Sequence, residues 1–503
     1  NDNNNYIIEP QAEYTRDIAK GKLLALVGTT FQQTKAAGVY LTGTGYSNEA
    51  LIYSLSAAAS VTTNYNNNSL YKYNAVFARL NYNWEDKYIV DGTFRRDGSS
   101  RFGANNRFGS FGAAGVSWIF TRENFLHWPA LLSFGKLRAS YGVTGNDQIP
   151  NYQYAALYTT VGSAYSYNGT SAIVPSNISN PNLHWESTQK LDLALELGFM
   201  QDRILVKADY YRNRTSDPLN YVYVPGQSGT SSYLGNLDAV VITKGWELEL
   251  NTTNIATKAL RWNTAINVTI PRNKLASFND LANSSYKNTY IIGQPTTITQ
   301  LYHYTGPNAT TGLPTFMDKS GDGNIAYADD RYVARYGHPY FGGITNSISY
   351  KGFQLDFTFQ YTHRYGYKNG TLVTNFNPYG YTYGNQSDAV VNRWPADNAF
   401  FPAASVTGNA AYSTLTSSDY NWGDASFVKF KSASLYYTLP KRLLKYVKAN
   451  VYVQGQNLFV WAKQKYTFDP ETTVPGTGSA LGTGQYLALP QLRTLVVGLN
   501  CSF

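Results

Sequence analysis

The stretch whose residue types and spacing most sharply specify a chemistry is Asp318-Lys319-Ser320-Gly321-Asp322-Gly323-Asn324-Ile325-Ala326-Tyr327-Ala328-Asp329. Oxygen-bearing side chains stand at loop positions 1, 3, 5 and 12 (Asp318, Ser320, Asp322, Asp329), and Gly323 falls at position 6, where a cation-binding loop turns sharply. Calcium takes several oxygen ligands from such a loop. Asn324 would add its backbone carbonyl, and Asp330 is a nearby substitute for Asp329, which stands where a bidentate Glu is usual. The expectation is a structural Ca2+ held by Asp318, Ser320, Asp322, Asn324 and Asp329. The plainer reading is a solvated Asp/Gly turn that shares the spacing.

This spacing resembles dockerin and EF-hand calcium loops. No catalytic set stands beside it: His127, His184, His303, His338 and His363 are scattered, and neither an HExxH nor a G-x-S-x-G elbow occurs. Glu186, Asp192, Glu196, Asp209, Glu247, Glu249 and Asp356 could be paired for glycoside hydrolysis, but most alternate with apolar residues on strand-like segments, which favours the lining of a polar lumen. The segment Val474-Pro475-Gly476-Thr477-Gly478-Ser479 lacks the Lys and the following helix of a phosphate cradle and reads as an external loop. Tyr379, Tyr381, Tyr383 and Tyr165-Ser166-Tyr167 could stack on sugars or grip peptide side chains, against plain girdle or loop packing. Cys501 is a small outward-facing hydrophobe with no assigned chemistry.

The elements that must carry these loops are set by composition and period. Charged residues make up only 15% of the 503, while 44 tyrosines lift aromatics to 15%; soluble domains carry about 25% charge. A soluble reading of this length would need several domains, since single cores stop growing near ~250–300 residues. No apolar run approaches the ~18 residues of a spanning helix, so a membrane crossing would use strands. The net charge of +9 is spread thinly, with no basic stripe, and does not point to nucleic acid. A single cysteine rules out an internal disulfide framework. The opening NDNNNYIIEP has neither a charged n-region nor an apolar h-region and is read as a mature chain or a fragment without an export signal.

Strict alternation is the dominant signal. Leu191, Leu193, Leu195, Leu197 and Phe199 alternate with Lys190, Asp192, Ala194, Glu196 and Gly198, and Phe353 to Tyr361 repeat the pattern against Gln354, Asp356, Thr358 and Gln360. A sandwich gives the same period, so the connections decide. Short turns (Glu85-Asp86, Met200-Gln201-Asp202, Lys351-Gly352) alternate with long Gly/Asn/Tyr-rich stretches at 145–184, 214–239, 272–340 and 366–425, which is the rhythm of a transmembrane barrel. Strands are expected near 21–35, 72–84, 87–97, 109–121, 133–144, 185–199, 203–213, 240–254, 259–271, 341–351, 353–365, 426–439, 448–461 and 493–503, about fourteen in all, with 1–20 as a lead-in. Tyr82, Trp84, Tyr88 and Tyr211 suit interfacial girdles, and the terminal Phe503 suits an insertion signal.

Several segments resemble the SusC-like family of TonB-dependent outer-membrane transporters of Bacteroidetes. They are Arg96-Asp97-Gly98-Ser99-Ser100-Arg101-Phe102-Gly103 with Asn105-Asn106-Arg107-Phe108-Gly109, the run Leu137 to Asn146, Asn180-Pro181-Asn182-Leu183-His184-Trp185-Glu186, Gly455-Gln456-Asn457-Leu458-Phe459, Asp469-Pro470-Glu471, and the end from Leu489 to Phe503. The resemblance implies an all-β fold, a transmembrane antiparallel β-barrel in which this chain supplies about the last fourteen of about 22 strands and no plug. It implies a location in the outer membrane of a Gram-negative bacterium, embedded in its lipid. It also implies import of oligosaccharides or peptides under a SusD-like surface lipoprotein, driven by TonB-ExbB-ExbD through a plug and N-terminal barrel part on the same or a separate chain. A surface adhesin or scaffold barrel of a larger outer-membrane complex is the rival reading, and a soluble multi-sandwich enzyme acting on carbohydrate is a third.

Overall fold

The computed structural model describes residues 2–160, 170, 172–326, 329–335, 337–367, 411, 414–415, 417–440, 448–463, 470–471, 473–474, 486–487 and 491–502. Its dominant feature is a 17-stranded sheet. In chain order the strands are β1 (Asp2–Ile8), β2 (Gln11–Ile18), β3 (Gly21–Thr44), β4 (Ser60–Trp84), β5 (Tyr88–Ser99), β6 (Phe108–Trp118), β7 (Leu132–Asn146), β8 (Glu186–Phe199) and β9 (Ile204–Ser216). They continue as β10 (Ala239–Ala256), β11 (Leu260–Phe278), β12 (Gly337–Tyr350), β13 (Phe353–Tyr367), β14 (Trp422–Asp424), β15 (Phe427–Thr438), β16 (Lys448–Ala462) and β17 (Thr494–Ser502). Every pairing in it is antiparallel and joins neighbours in sequence, except that β1 lies on β3 and that β13 pairs with β15 and, over three further rungs, with β14. Each of the fourteen expected stretches carries a strand, β3 to β13 and β15 to β17. No helix among the described residues is long and apolar enough to cross a membrane, which says nothing about strands.

Residues 1–20 correct one expectation. They are not a lead-in but two strands laid end to end on one edge of β3, Asp2–Ile8 opposite Phe31–Ala37 and Gln11–Ile18 opposite Gly21–Gly28. Pro10, which has no N–H for the ladder, sits at the break and accepts a hydrogen bond from the Thr29 N–H through its carbonyl (3.1 Å). The Asn-rich start has little alternation, and the unpaired edge of β3 supplies what its composition lacks.

Register fixes the two faces. Leu193 lies opposite Tyr210, and Tyr210 opposite Trp246, while one residue along Ala194 lies opposite Arg138 and Asp209, and Asp209 opposite Glu247. Because partners across a rung share a face, one face of the sheet is aliphatic and aromatic and the other is charged and polar. Phe31, Val76, Phe94, Val116, Leu193, Trp246, Leu355, Leu435, Val453 and Val497 remain exposed on the apolar face. A sheet that leaves that much large apolar surface uncovered requires an apolar surrounding.

At one end the strands close in short turns. Glu85 and Asp86, Met200 to Asp202, and Lys351 with Gly352 all take positive φ, the geometry that matches the right-handed twist of hairpins. Just inside this end Trp84, Tyr88 and Trp118 stack in sequence at 5.6 and 6.5 Å, forming the expected girdle. Tyr82 belongs to the same face, but Tyr211 does not: it pairs with Asp192 and Gly245 on the polar face, one residue out of phase with Tyr210. At the other end the chain builds long loops with small hairpins of their own. Phe503 lies outside the described residues.

Candidate functional site

The polar face of β7 to β10 carries a ladder of alternating charge. Lys136 pairs with Glu196 (3.4 Å); Arg138 reaches Asp192 (3.4 Å) and Asp209 (2.7 Å); Lys207 reaches Asp209 (2.9 Å) and Glu249 (3.8 Å). Asp209 is 4% exposed and is shared by two cations, so it anchors the row. The Lys207 ammonium and the Arg138 guanidinium would repel each other without it. Glu247, Glu249 and Asp356 lie on this same face, where strand alternation put them. Glu186 caps the row toward the long loops, accepting from the Leu219 N–H (3.0 Å) and the Asn146 amide (3.4 Å). Such a wall presents fixed charges of both signs along one face of the sheet.

The loop ends of these strands are tied into a knob by the residues that carry the family resemblance. The chain beyond β5 folds back so that Phe102 is fully buried with Leu183, Leu234 and Ile149, its ring 5.0 Å from that of Trp185. Arg101 lies over the Tyr71 ring (4.1 Å) and donates to the Asp147 carbonyl (2.9 Å) and the Asn151 side chain (3.2 Å). The Trp185 indole N–H donates to the Arg107 carbonyl (3.1 Å), and Asn236 exchanges hydrogen bonds with the His184 backbone (3.0 and 2.9 Å). The segments 96–109, 137–146 and 180–186 are therefore one structural unit that fixes where three loops leave the sheet.

Two aromatic clusters stand beyond the knob. Tyr286 packs on Tyr223 (6.2 Å) and Tyr290 (5.5 Å) and donates its hydroxyl to the Tyr221 carbonyl. Burial first, and its phenol neighbours second, push its pKa up to about 12. In the other, Tyr304 packs against Tyr420 (4.9 Å), and Asp419 ties three residues together. Asp419 takes the His303 ring nitrogen (2.6 Å), the Tyr332 hydroxyl (3.0 Å) and the Tyr304 N–H (2.9 Å). Burial holds the Tyr332 and Tyr420 phenols above their ordinary range, so both are neutral at physiological pH, and Tyr332 donates to Asp419. Nothing in the sequence singled these tyrosines out, because Tyr221 and Tyr286, 65 residues apart, and His303 and Asp419, 116 apart, meet only through the loops. Tyr165, Tyr167, Tyr379, Tyr381, Tyr383 and most of 474–479 lie outside the described residues.

The 318–330 loop is closed by backbone N–H groups. The Asp318 carboxylate accepts from Gly321 (2.6 Å), Gly323 (2.7 Å) and the Ser320 hydroxyl (3.1 Å), and Asp322 accepts from Asn324 (2.8 Å). The acid that enters the loop is Asp330, 2% exposed, which accepts from Lys319 (2.8 Å), Ser320 (2.9 Å) and Ala326 (2.7 Å); Asp329 stays exposed. These bonds to the charged form lower the pKa of both Asp318 and Asp330. Among the described residues no three His, Cys, Asp or Glu side chains converge as a metal-ligand group. Asp322 keeps most of its lone pairs, whereas those of Asp318 and Asp330 are largely taken.

Comparison with known proteins agrees with this architecture. Residues 1–377 match the family model described as TonB dependent receptor-like, beta-barrel. TonB-dependent receptor P3 of Formosa agariphila is 28% identical over 99% of this chain and 52% of its own length, and TonB-dependent receptor SusC of Bacteroides thetaiotaomicron is 27% identical over 85% of this chain and 43% of its own. A solved structure of the RagAB peptide transporter superposes with a TM-score of 0.83 at 25% identity, covering 99% of this chain and 55% of that one. The chain spans about half the length of these relatives. An apolar outward face, short turns at one end, long loops at the other and a family match over most of the sequence lead to one assignment: the chain belongs to the TonB dependent receptor-like β-barrel family of the outer membrane.

Proposed function

We propose that this chain is the barrel part of a TonB-dependent importer that takes up oligosaccharides or peptides through the lumen beneath a SusD-like surface lipoprotein. The observation that carries the reading is the charge ladder of Lys136, Glu196, Arg138, Asp209 and Lys207 on the polar face of a sheet whose other face is apolar. The likeness to SusC and to the RagAB peptide transporter supports it. A plug and the N-terminal barrel part, on the same or a separate chain, complete the channel, and TonB-ExbB-ExbD supplies the energy. The reading predicts that a tagged chain, pulled from detergent-solubilised outer membranes, brings down a plug-bearing polypeptide and a SusD-like lipoprotein. It also predicts that disruption of the gene abolishes growth on a particular glycan or peptide as sole carbon source. Recovery without either partner, and with growth unaffected on every such substrate, would favour an adhesin or scaffold.

For the 318–329 loop we propose calcium as the ligand, supported by the spacing of Asp318, Ser320, Asp322, Asn324 and Asp329 and by the free lone pairs of Asp322. Isothermal titration of the apoprotein with Ca2+ should give a single saturable site that Asp322→Ala removes. A flat titration would leave the loop as a turn closed by its own N–H groups.

A further inference from the structure

We propose that the outward face of β9 to β11, at the long-loop end, is a binding site for the phosphate of an outer-leaflet glycolipid, with Arg212, Lys244 and Arg272 as its contacts. Register sets the geometry: Arg212 lies directly opposite Lys244, and Lys244 directly opposite Arg272. Three cations thus occupy one rung across three adjacent strands, with roughly 5 Å between neighbouring Cβ atoms. Arg214 and Lys274 flank them one rung farther out, on either side of Ile242. Like charges set opposite one another destabilise a sheet unless an anion joins them.

No protein anion does so among the described residues. The outward positions of β8 to β11 hold no Asp or Glu, because Asp192, Glu196, Asp209, Glu247 and Glu249 all fall on the polar face one residue out of phase. Neither Arg212, Lys244 nor Arg272 forms an ion pair among the described residues. Arg272 donates one nitrogen to the carbonyls of Pro271 and Pro339 (2.8 Å each), which steadies the side chain while the rest of its guanidinium stays available. All three side chains are exposed.

Height identifies the anion. Arg212 is eight residues along β9 from its first residue, Ile204, and eight residues of strand tilted by about 40° rise roughly 20 Å, close to the thickness of a barrel's apolar band. The rung just below the cations holds the paired rings of Tyr210 and Trp246 (5.1 Å), and below that the face is aliphatic. An aromatic rung followed by a cationic one is the order of a membrane interface, and arginine's fork matches phosphate oxygens. The long-loop end of a barrel is its external end, so the phosphates at that height are those of the outer leaflet.

The test is native mass spectrometry on protein purified from outer membranes and stripped of lipid, titrated with bis-phosphorylated lipid A, with its dephosphorylated form, and with inorganic phosphate. Wild type should bind the bis-phosphorylated form at least about tenfold more tightly than the Arg212→Gln/Lys244→Gln/Arg272→Gln variant does. It should bind the dephosphorylated form no better than the variant does, and millimolar inorganic phosphate should not displace the lipid. Equal affinity of wild type and variant would mean that the cations merely reach for water, and displacement by phosphate alone would mean a bare anion site; either result overturns the proposal. Heat-shifted electrophoretic mobility reports whether the variant is a folded barrel. Independently of that variant, a benzoylphenylalanine placed at Gln189, opposite Arg214 on the same face, should crosslink in cells to a glycolipid, and a crosslink to a polypeptide would overturn the assignment.

Discussion

The Asp330 carboxylate organises the 318–330 loop by accepting N–H groups from Lys319, Ser320 and Ala326. Those bonds favour the charged form, so its folded pKa lies below the ordinary aspartate value. A group with a depressed folded pKa contributes stability that is present above its unfolded pKa, about 3.9, and is lost as pH falls through the folded value. Amide exchange at Ser320 and Ala326 should therefore stay protected at neutral pH and lose protection below about pH 4. In Asp330→Asn, whose single carbonyl oxygen replaces two acceptors, protection should be lower at neutral pH, and only the acid step of Asp318 should remain. A protection profile identical in the two proteins would mean that other contacts hold the loop. The sequence reading put Asp329 at the closing position, with Asp330 as a nearby substitute, because spacing counts residues and cannot see which of two adjacent carboxyls turns inward.

At the level of the strand, side chains from one strand cover missing side chains on its neighbour, across the same rung. Tyr361 lies over Gly342 and donates its hydroxyl to the Asn267 carbonyl (2.9 Å), and a Cβ on Gly342 would stand 2.0 Å from that same carbonyl oxygen. Gly342→Val should accordingly push β11 and β12 apart and displace the tyrosine, at a cost of about 2 kcal/mol or more. The expected readout is a lower fraction of heat-shifted, folded barrel and a lower guanidinium midpoint. Tyr361→Phe, which loses one hydrogen bond but keeps the ring over the glycine, should cost about 1 kcal/mol. If Gly342→Val behaved like wild type, the close strand approach would not be a constraint. Alternation made these strands legible, since β8 to β11 and β13 need one greasy face. It failed where no lipid is met: β3 and β4 run on to Thr44 and from Ser60, paired to one another well past the expected limits. There the ladder alone suffices, and apart from Tyr65 the pattern along Asn64 to Ser69 is polar.

Across the whole molecule the decisive feature is that the sheet has two edges. Among the described residues β17 pairs only with β16, while β1 and β2 pair only with β3, and almost every residue of these three strands is exposed. Edge N–H and C=O groups cannot be left unpaired in hydrocarbon, where each costs several kcal/mol. Leu495, Val497 and Leu499, opposite Gly455, Val453 and Val451, carry the apolar face up to that edge, so β17 lies at membrane height. On this ground the barrel is predicted to take further strands between β17 and β1/β2. Directed to the outer membrane as residues 1–503 alone, the chain should remain heat-insensitive on electrophoresis and accumulate with chaperone-bound or degraded material. Supplying the leading strands, in cis or as a second polypeptide, should convert it to the compact, heat-shifted form. A cysteine at Leu495 on β17 should then crosslink to the strand that follows it around the wall. If residues 1–503 alone gave a compact, detergent-stable barrel, the two edges would have to join each other, and the lumen would be far narrower than one that holds a plug.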